Sequence, residues 1–128
     1  MKILLDTHIL LWAAANTLPT SAAKYILDES NDLFFSTASI WEVVIKHGLK
    51  RDDFSVDPHL FYSALVDNGY EEFYISSEHT LLTGTLPAIH KDPFDRIMIA
   101  QSISEGVSLL TFDDVLAGYP APVILVKK

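Results

Sequence analysis

Four acids in this chain stand where carboxylates can do chemistry: Asp6, Glu42, Asp95 and Asp113. Asp6 directly follows the apolar run Ile3-Leu4-Leu5, and Asp113 comes just after Leu109-Leu110-Thr111. Glu42 and Asp95 fall early in segments with helical spacing. If the two apolar runs are parallel strands, all four acids can reach one crevice. Carboxylates gathered there repel one another, and some would have to keep their protons. A divalent cation removes that conflict. Hard oxygen donors suit Mg2+ or Mn2+, and Mg2+ keeps waters that substrate phosphates can replace. Such an ion can orient a phosphodiester, activate a water and stabilise the leaving oxygen.

Each acid also has a plainer reading. Asp6 could cap the helix that follows it. Ser39-Ile-Trp-Glu42 has the form of a capping box. Asp92-Pro93-Phe94-Asp95 is a strong helix start: a cap, a proline at the first position and an acid near the positive end of the dipole. Asp92 therefore competes with Asp95 for the chemical role, and its fitness as a cap favours Asp95. Asp113 could cap a short turn. His8 and His90 accompany the acids and could touch a phosphate or make a local hydrogen bond.

The elements that must position these residues alternate. Strands are expected at Lys2–Leu5, Leu33–Phe35, Glu72–Ile75, Val107–Thr111 and Pro122–Val126. Helices are expected over Thr7–Ala15, from Thr20 or Ser21 to Asp28, from Ser36 or Thr37 to His47 with Gly48 as its stop, and from Asp57-Pro58 to Asn68 with Gly69 as terminator. A short helix from Ser76 or Ser77 to Thr83, a helix from Asp92 to Gly106 and a helical turn over Phe112–Ala117 follow. The strands are nearly unbroken apolar runs, as expected when both sheet faces are covered. This predicts an α/β sandwich with a mainly parallel sheet, whose ligands bind beyond the carboxyl ends of the strands.

The chain has 128 residues, 49% of them hydrophobic and none of them cysteine. That predicts one domain over residues 1–128 with a core large enough to need no disulfide. Lys2, an apolar stretch and Ala13-Ala14-Ala15 outline a signal peptide, but Asp6 and His8 interrupt its core. The expectation is a soluble cytoplasmic protein with no membrane span. The net charge of −8 argues against nucleic-acid binding on bulk grounds. Acids at a metal site are offset by the ion they hold, however. The basic residues are also clustered: Lys46, His47, Lys50 and Arg51 together, and Lys91 and Arg96 around an acidic motif. The first cluster suits a helix C-terminus as well as a phosphate.

Taken in order, Leu4-Leu5-Asp6-Thr7-His8, Ser39-Ile-Trp-Glu42-Val-Val-Ile-Lys46, His90-Lys-Asp92-Pro93-Phe94-Asp95-Arg96-Ile-Met-Ile-Ala-Gln101 and Leu110-Thr111-Phe-Asp113 resemble the motifs of PIN-domain proteins. More narrowly, they are similar to VapC-type ribonuclease toxins of prokaryotic toxin–antitoxin pairs. The resemblance runs from residue 3 to about residue 126. It implies a PIN-like three-layer sandwich and an acidic site of Asp6, Glu42, Asp95 and Asp113. Asp6 and Asp95 would bind Mg2+ or Mn2+ directly or through water, Glu42 would complete the set, and Asp113 would be peripheral. Thr7 and Thr111 would support the carboxylates. Lys46 and Arg96 would contact the RNA backbone or neutralise nearby acids. The implied reaction is metal-dependent hydrolysis of single-stranded or looped RNA, leaving a 5′-phosphate. The implied partners are a small antitoxin covering the site and a second copy in a homodimer, with DNA binding left to the antitoxin.

Other readings remain in view. A PIN-like scaffold without catalysis would share the fold. A phosphoacceptor receiver domain would share the acidic pocket but expects adjacent acids after the first strand, which this sequence lacks. Trp12 and Trp41 read as core or dimer interface. Tyr62, Tyr70, Tyr74, Phe34 and Phe35 read as core before base-stacking platforms. Leu60, Phe61, Ala64 and Leu65 form an apolar helix face for this chain's core or for an antitoxin helix.

Overall fold

The computed structural model describes residues 1–50, 52 and 54–127; Arg51 of the basic cluster lies outside the described residues. The strands β1 (Lys2–Leu5), β2 (Asp32–Ser36), β3 (Glu71–Phe73), β4 (Ser108–Thr111) and β5 (Val123–Leu125) form one sheet. All of its pairings are parallel, in the order β3-β2-β1-β4-β5. The helices are α1 (Thr7–Ala14), α2 (Thr20–Ile26), α3 (Thr37–Gly48), α4 (Pro58–Asp67), α5 (Ser77–Thr83) and α6 (Pro93–Glu105), with a 3-10 turn at Asp114–Gly118. The expected α/β sandwich is present, and its sheet is wholly parallel.

Side chains alternate across a strand, so an apolar run feeds two cores at once. Ile3, Leu5, Phe35 and Leu110 enter one cluster with Ile9, Leu10, Val43, Phe61 and Leu65 from α1, α3 and α4. Leu4, Phe34 and Leu109 enter the other, with Met98 and Ile99 of α6, Leu116 and Tyr119. The apolar face expected on α4 is thus divided: Phe61 and Leu65 are buried, whereas Leu60 is 71% exposed. Phe34 and Phe35 are core residues, while Tyr74 and Trp41 are exposed. No helix among the described residues is long and apolar enough to cross a membrane.

Two expected boundaries are corrected. Strand β3 ends at Phe73 and not at Ile75, because its last partner is Ser36 and β2 gives way there to α3. Tyr74 and Ile75 have no facing strand residue among those pairs. Helix α3 runs through Gly48 and is capped at Leu49; the left-handed residue that follows is Lys50, with φ 52°. Gly48 therefore sits in helical backbone, whereas Gly106 closes α6 with φ 68°. A Cβ at either glycine would meet nothing within 4 Å. Backbone preference alone should set the sign of each substitution. Gly48→Ala is expected to raise stability by up to about 1 kcal/mol. Gly106→Ala should lower it by about 1–2 kcal/mol. Urea unfolding midpoints would check this, and two shifts of the same sign would contradict it.

Candidate active site

The chain order reverses at β1, whose neighbours are β2 on one side and β4 on the other. This is the switch point of the sheet, where helices leave in different directions and a crevice opens. Asp6 stands at its edge, as the cap that ends β1 and starts α1. Its backbone N–H donates to the Leu110 carbonyl (3.0 Å), which continues the β1–β4 pairing by one step. Its side chain is buried, with Oδ2 accepting from Thr111 Oγ1 at 2.5 Å. Oδ1 has a longer contact, 3.4 Å, from the His8 N–H. The Thr111 hydroxyl in turn accepts the Asp113 N–H at 3.0 Å. One side chain therefore ties the acids at the ends of β1 and β4.

A second buried contact sets the third wall. Thr7 Oγ1 and Ser39 Oγ lie 2.8 Å apart, joining the first turn of α1 to α3. Ser39 is consequently inside the helix and not its cap. The cap is Ser36, whose hydroxyl accepts from the Ala38 N–H at 3.0 Å, so the capping-box reading of Ser39 and Glu42 is set aside. Glu42 follows Ser39 by nearly one turn and lines the cleft with Asp6, Asp92, Asp95, Asp113, His8, Trp12 and Phe112. Lys46, one turn further on, pairs with Glu42 at 3.3 Å. The cleft has a volume of about 280 Å³.

Asp92 caps α6 by accepting from the Phe94 N–H at 2.9 Å, and Asp95 occupies the first turn. Burial pushes the Asp95 carboxyl up to about 8, helped by the charges of Asp6, Asp92, Glu42 and Asp113. Burial also raises Asp6; the Thr111 hydrogen bond works against this shift and the Glu42 charge adds to it. Among the described residues lining the cleft, His8 is the only basic side chain.

His90 lies against two of these acids. Its Nε2 lies 3.3 Å from Asp95 Oδ2 and 3.2 Å from Asp113 Oδ2. Its Nδ1 accepts the Asp92 N–H at 3.0 Å, which assigns the ring proton of the neutral form to Nε2. Nε2–H then donates towards the two carboxylates. His90, Asp95 and Asp113 present ligand atoms within 4.8 Å of one another, a spacing compatible with a metal ion. The tautomer argues against that trio, because both His90 nitrogens are already engaged and Nε2 carries the proton. Asp6 and Glu42 line the same cleft as Asp95 and Asp113 and add further carboxylate oxygens, the donor type that hard divalent cations take.

Arg96 departs from its expected place. Its guanidinium donates to the carbonyls of Thr83 (2.7 Å) and Pro87 (2.9 Å) and to the Tyr119 hydroxyl (3.2 Å). That hydroxyl accepts the His90 N–H at 2.7 Å. Arg96 thus secures the loop that carries His90 and does not line the cleft. Asp6, Glu42, Asp95 and Asp113 line one cleft, Thr111 and Lys46 each hold one of these acids, and the Thr7 hydroxyl meets Ser39 instead of a carboxylate. Trp12 and Phe112 are not expected there from the sequence. Trp12 lies one turn after His8 on α1 and Phe112 separates Thr111 from Asp113; these offsets are the signal that marks them.

A family model described as the PIN domain matches residues 3–121. No curated protein matches the chain. Among solved structures, VapBC2 from Rickettsia felis, bound to a DNA fragment from its promoter, superposes with a TM-score of 0.75 at 18% identity, covering 99% of this chain and 100% of that one. A toxin–antitoxin complex from Klebsiella pneumoniae gives 0.67 at 18% identity, with 95% of each chain covered. VapC20 from Mycobacterium tuberculosis, a sarcin–ricin loop cleaving toxin, gives 0.63 at 12% identity, covering 91% of this chain and 95% of that one. At these identities the structures speak for the fold, and the family match, over nearly the whole sequence, speaks for descent: the chain belongs to the PIN domain family.

Proposed function

We propose that this chain is a divalent-metal-dependent endoribonuclease whose site is Asp6, Glu42, Asp95 and Asp113, and that residues 1–128 act as one nuclease domain. The observation that carries the reading is the convergence of these acids on one cleft at the sheet's switch point, where Asp6 and Asp95 are both pushed towards protonation. Asp6, Asp95 and Glu42 would hold Mg2+ or Mn2+, with Asp113 more peripheral. The ion would supply charge neutralisation and an activated water for attack on phosphorus. The protein's own groups do the positioning. Thr111 holds one Asp6 oxygen, Thr7 fixes α1 against α3, and Lys46 restrains Glu42. His90 Nε2–H holds Asp95 and Asp113 side by side.

The same reading makes the chain the toxin of a toxin–antitoxin pair, blocked by a small antitoxin and working as a homodimer in the cytoplasm. It is supported by the fold shared with VapBC complexes and with a ribonuclease toxin. Exposed Trp41 and Leu81 supply apolar surface for protein contacts. Housekeeping RNA processing is the other role for the same chemistry, and the genes beside this one would separate the two.

Single-stranded RNA should be cut in Mg2+ or Mn2+ and not in EDTA. Asp6→Asn and Asp95→Asn should each lower kcat by at least about 100-fold, the scale of losing a group that stabilises transition-state charge. A variant that cuts as well as the wild type would remove that acid from the site. A wild type that binds metal and cuts no RNA would favour a scaffold.

Stability should report the same charge conflict. The Asp95 carboxyl sits near 8 in the folded protein against 3.8 for an unperturbed aspartate, so the folded state holds its proton more tightly. Without metal, stability then falls as pH rises from about 4 to about 8. Asp95→Asn should leave Tm close to wild type at pH 4 and raise it by about 4 °C or more at pH 8. Mg2+ should raise the wild-type Tm most at pH 8. Thermal unfolding with EDTA and with Mg2+ tests this; an Asn effect equal at both pH values would refute it.

A further inference from the structure

We propose that Trp12 and Phe112 form a nucleobase-stacking wall, which takes the base of a nucleotide flanking the phosphate held at the carboxylates. The inference rests on the ribonuclease reading and names where its substrate is gripped. The two rings lie 4.2 Å apart between centroids, tilted by 47°. Both line the acidic cleft, and both are only half-buried. Their placement follows from the backbone. Helix α1 starts at Asp6, and residues 8 and 12 share one face of it, one turn apart. Phe112 sits between Thr111, which holds Asp6, and Asp113. The aromatic wall is therefore built from α1, which Asp6 caps, and from the residue that follows β4, and a base lying on it is held beside the acids.

The charge of the cleft gives the wall its purpose. Among the described residues, the titratable groups lining it are His8, Asp6, Glu42, Asp92, Asp95 and Asp113. The chain as a whole carries a net −8. Basic side chains, the usual source of nucleic-acid affinity through phosphate contacts, are few among the described residues lining the cleft. Stacking on an aromatic face needs no charge and accepts any base. The base must be free of a helix to reach the wall, so the ligand class is a single-stranded or looped ribonucleotide.

Two variants separate stacking from packing: Trp12→Phe keeps an aromatic face, and Trp12→Leu keeps apolar bulk without one. They are assayed on a short single-stranded RNA that the wild type cuts, and on the same RNA made abasic at each nucleotide flanking the cut in turn. Trp12→Leu should lower kcat/KM on the intact RNA by roughly 5- to 150-fold, the range for losing one base–aromatic stack. Trp12→Phe should stay near wild type. One of the abasic RNAs should lower the wild type by a similar factor and erase the difference between wild type and Trp12→Leu. Equal losses on intact and abasic RNA would overturn the wall and leave the nuclease standing.

A binding arm works without cleavage. The chain has two tryptophans, so Trp41→Phe leaves Trp12 as the sole reporter. In Mg2+, adenosine 5′-monophosphate should quench its fluorescence and ribose 5-phosphate should not. Quenching by the nucleotide in a protein that cuts no RNA under any metal would refute the nuclease and keep the wall. No quenching at millimolar nucleotide, or equal quenching by both ligands, would refute the wall whatever the cleavage result.

Discussion

The structure turns on one conflict: several carboxylates are brought to the same buried edge of a parallel sheet, with too little positive charge among them. Asp6 is buried, and Asp95 is pushed up to about 8 by burial and by its acidic neighbours. Such an arrangement costs stability in the empty protein. A fold selected for stability alone would replace one of these acids with a neutral residue. On the function proposed above, a divalent ion would turn the same repulsion into attraction.

The surrounding contacts keep that strain from spreading. Each end of the site is held by groups that use only part of a carboxylate. Asp6, Asp92 and Asp113 cap α1, α6 and the 3-10 turn, each accepting a backbone N–H. An ionised carboxylate has two oxygens and several lone pairs, so capping leaves acceptor capacity unused. Capping and ligand binding are thus compatible roles, although in sequence they stand as rivals. In the folded chain the cap is what aims the carboxylate. Arg96 shows the same economy from the other side. Its charge is near the acids in sequence, but its donors go to the carbonyls of the Thr83–Pro87 segment and to Tyr119, and through them it fixes His90.

Much of this is legible in the sequence because the signals are local. Apolar runs ending in an acid mark the carboxyl ends of β1 and β4, and Asp92-Pro93 marks the start of α6. The parallel order follows from central strands, β1 and β4, too apolar to have a wet face. What is not legible depends on partners distant in sequence. Tyr74 and Ile75 look like strand residues, yet the strand ends where β2 ends. Ser39 looks like a cap until Thr7, far away in sequence, claims its hydroxyl. Trp12 looks like core, because an aromatic in an apolar helix usually is; only the approach of Phe112 from β4 puts it on the cleft. The sequence pattern therefore locates the acids well and their apolar neighbours poorly. The acids are tied to chain-local strand ends and helix starts, and the aromatic wall arises only from packing.

That distinction bears on how an acidic protein can handle RNA. A pI near 4.8 gives no general attraction for a polyanion, so encounter and grip must be separated from the bulk field. A bound cation would reverse the sign of the potential only within the cleft, since salt screens it beyond about 8 Å. The aromatic rings would add affinity that does not depend on sign at all. Together they would favour a short, unpaired segment at the cleft and disfavour nonspecific binding along a duplex. An acidic surface would then act as a filter: RNA is admitted where it can present both a phosphate to the ion and a free base to the wall, and is repelled elsewhere.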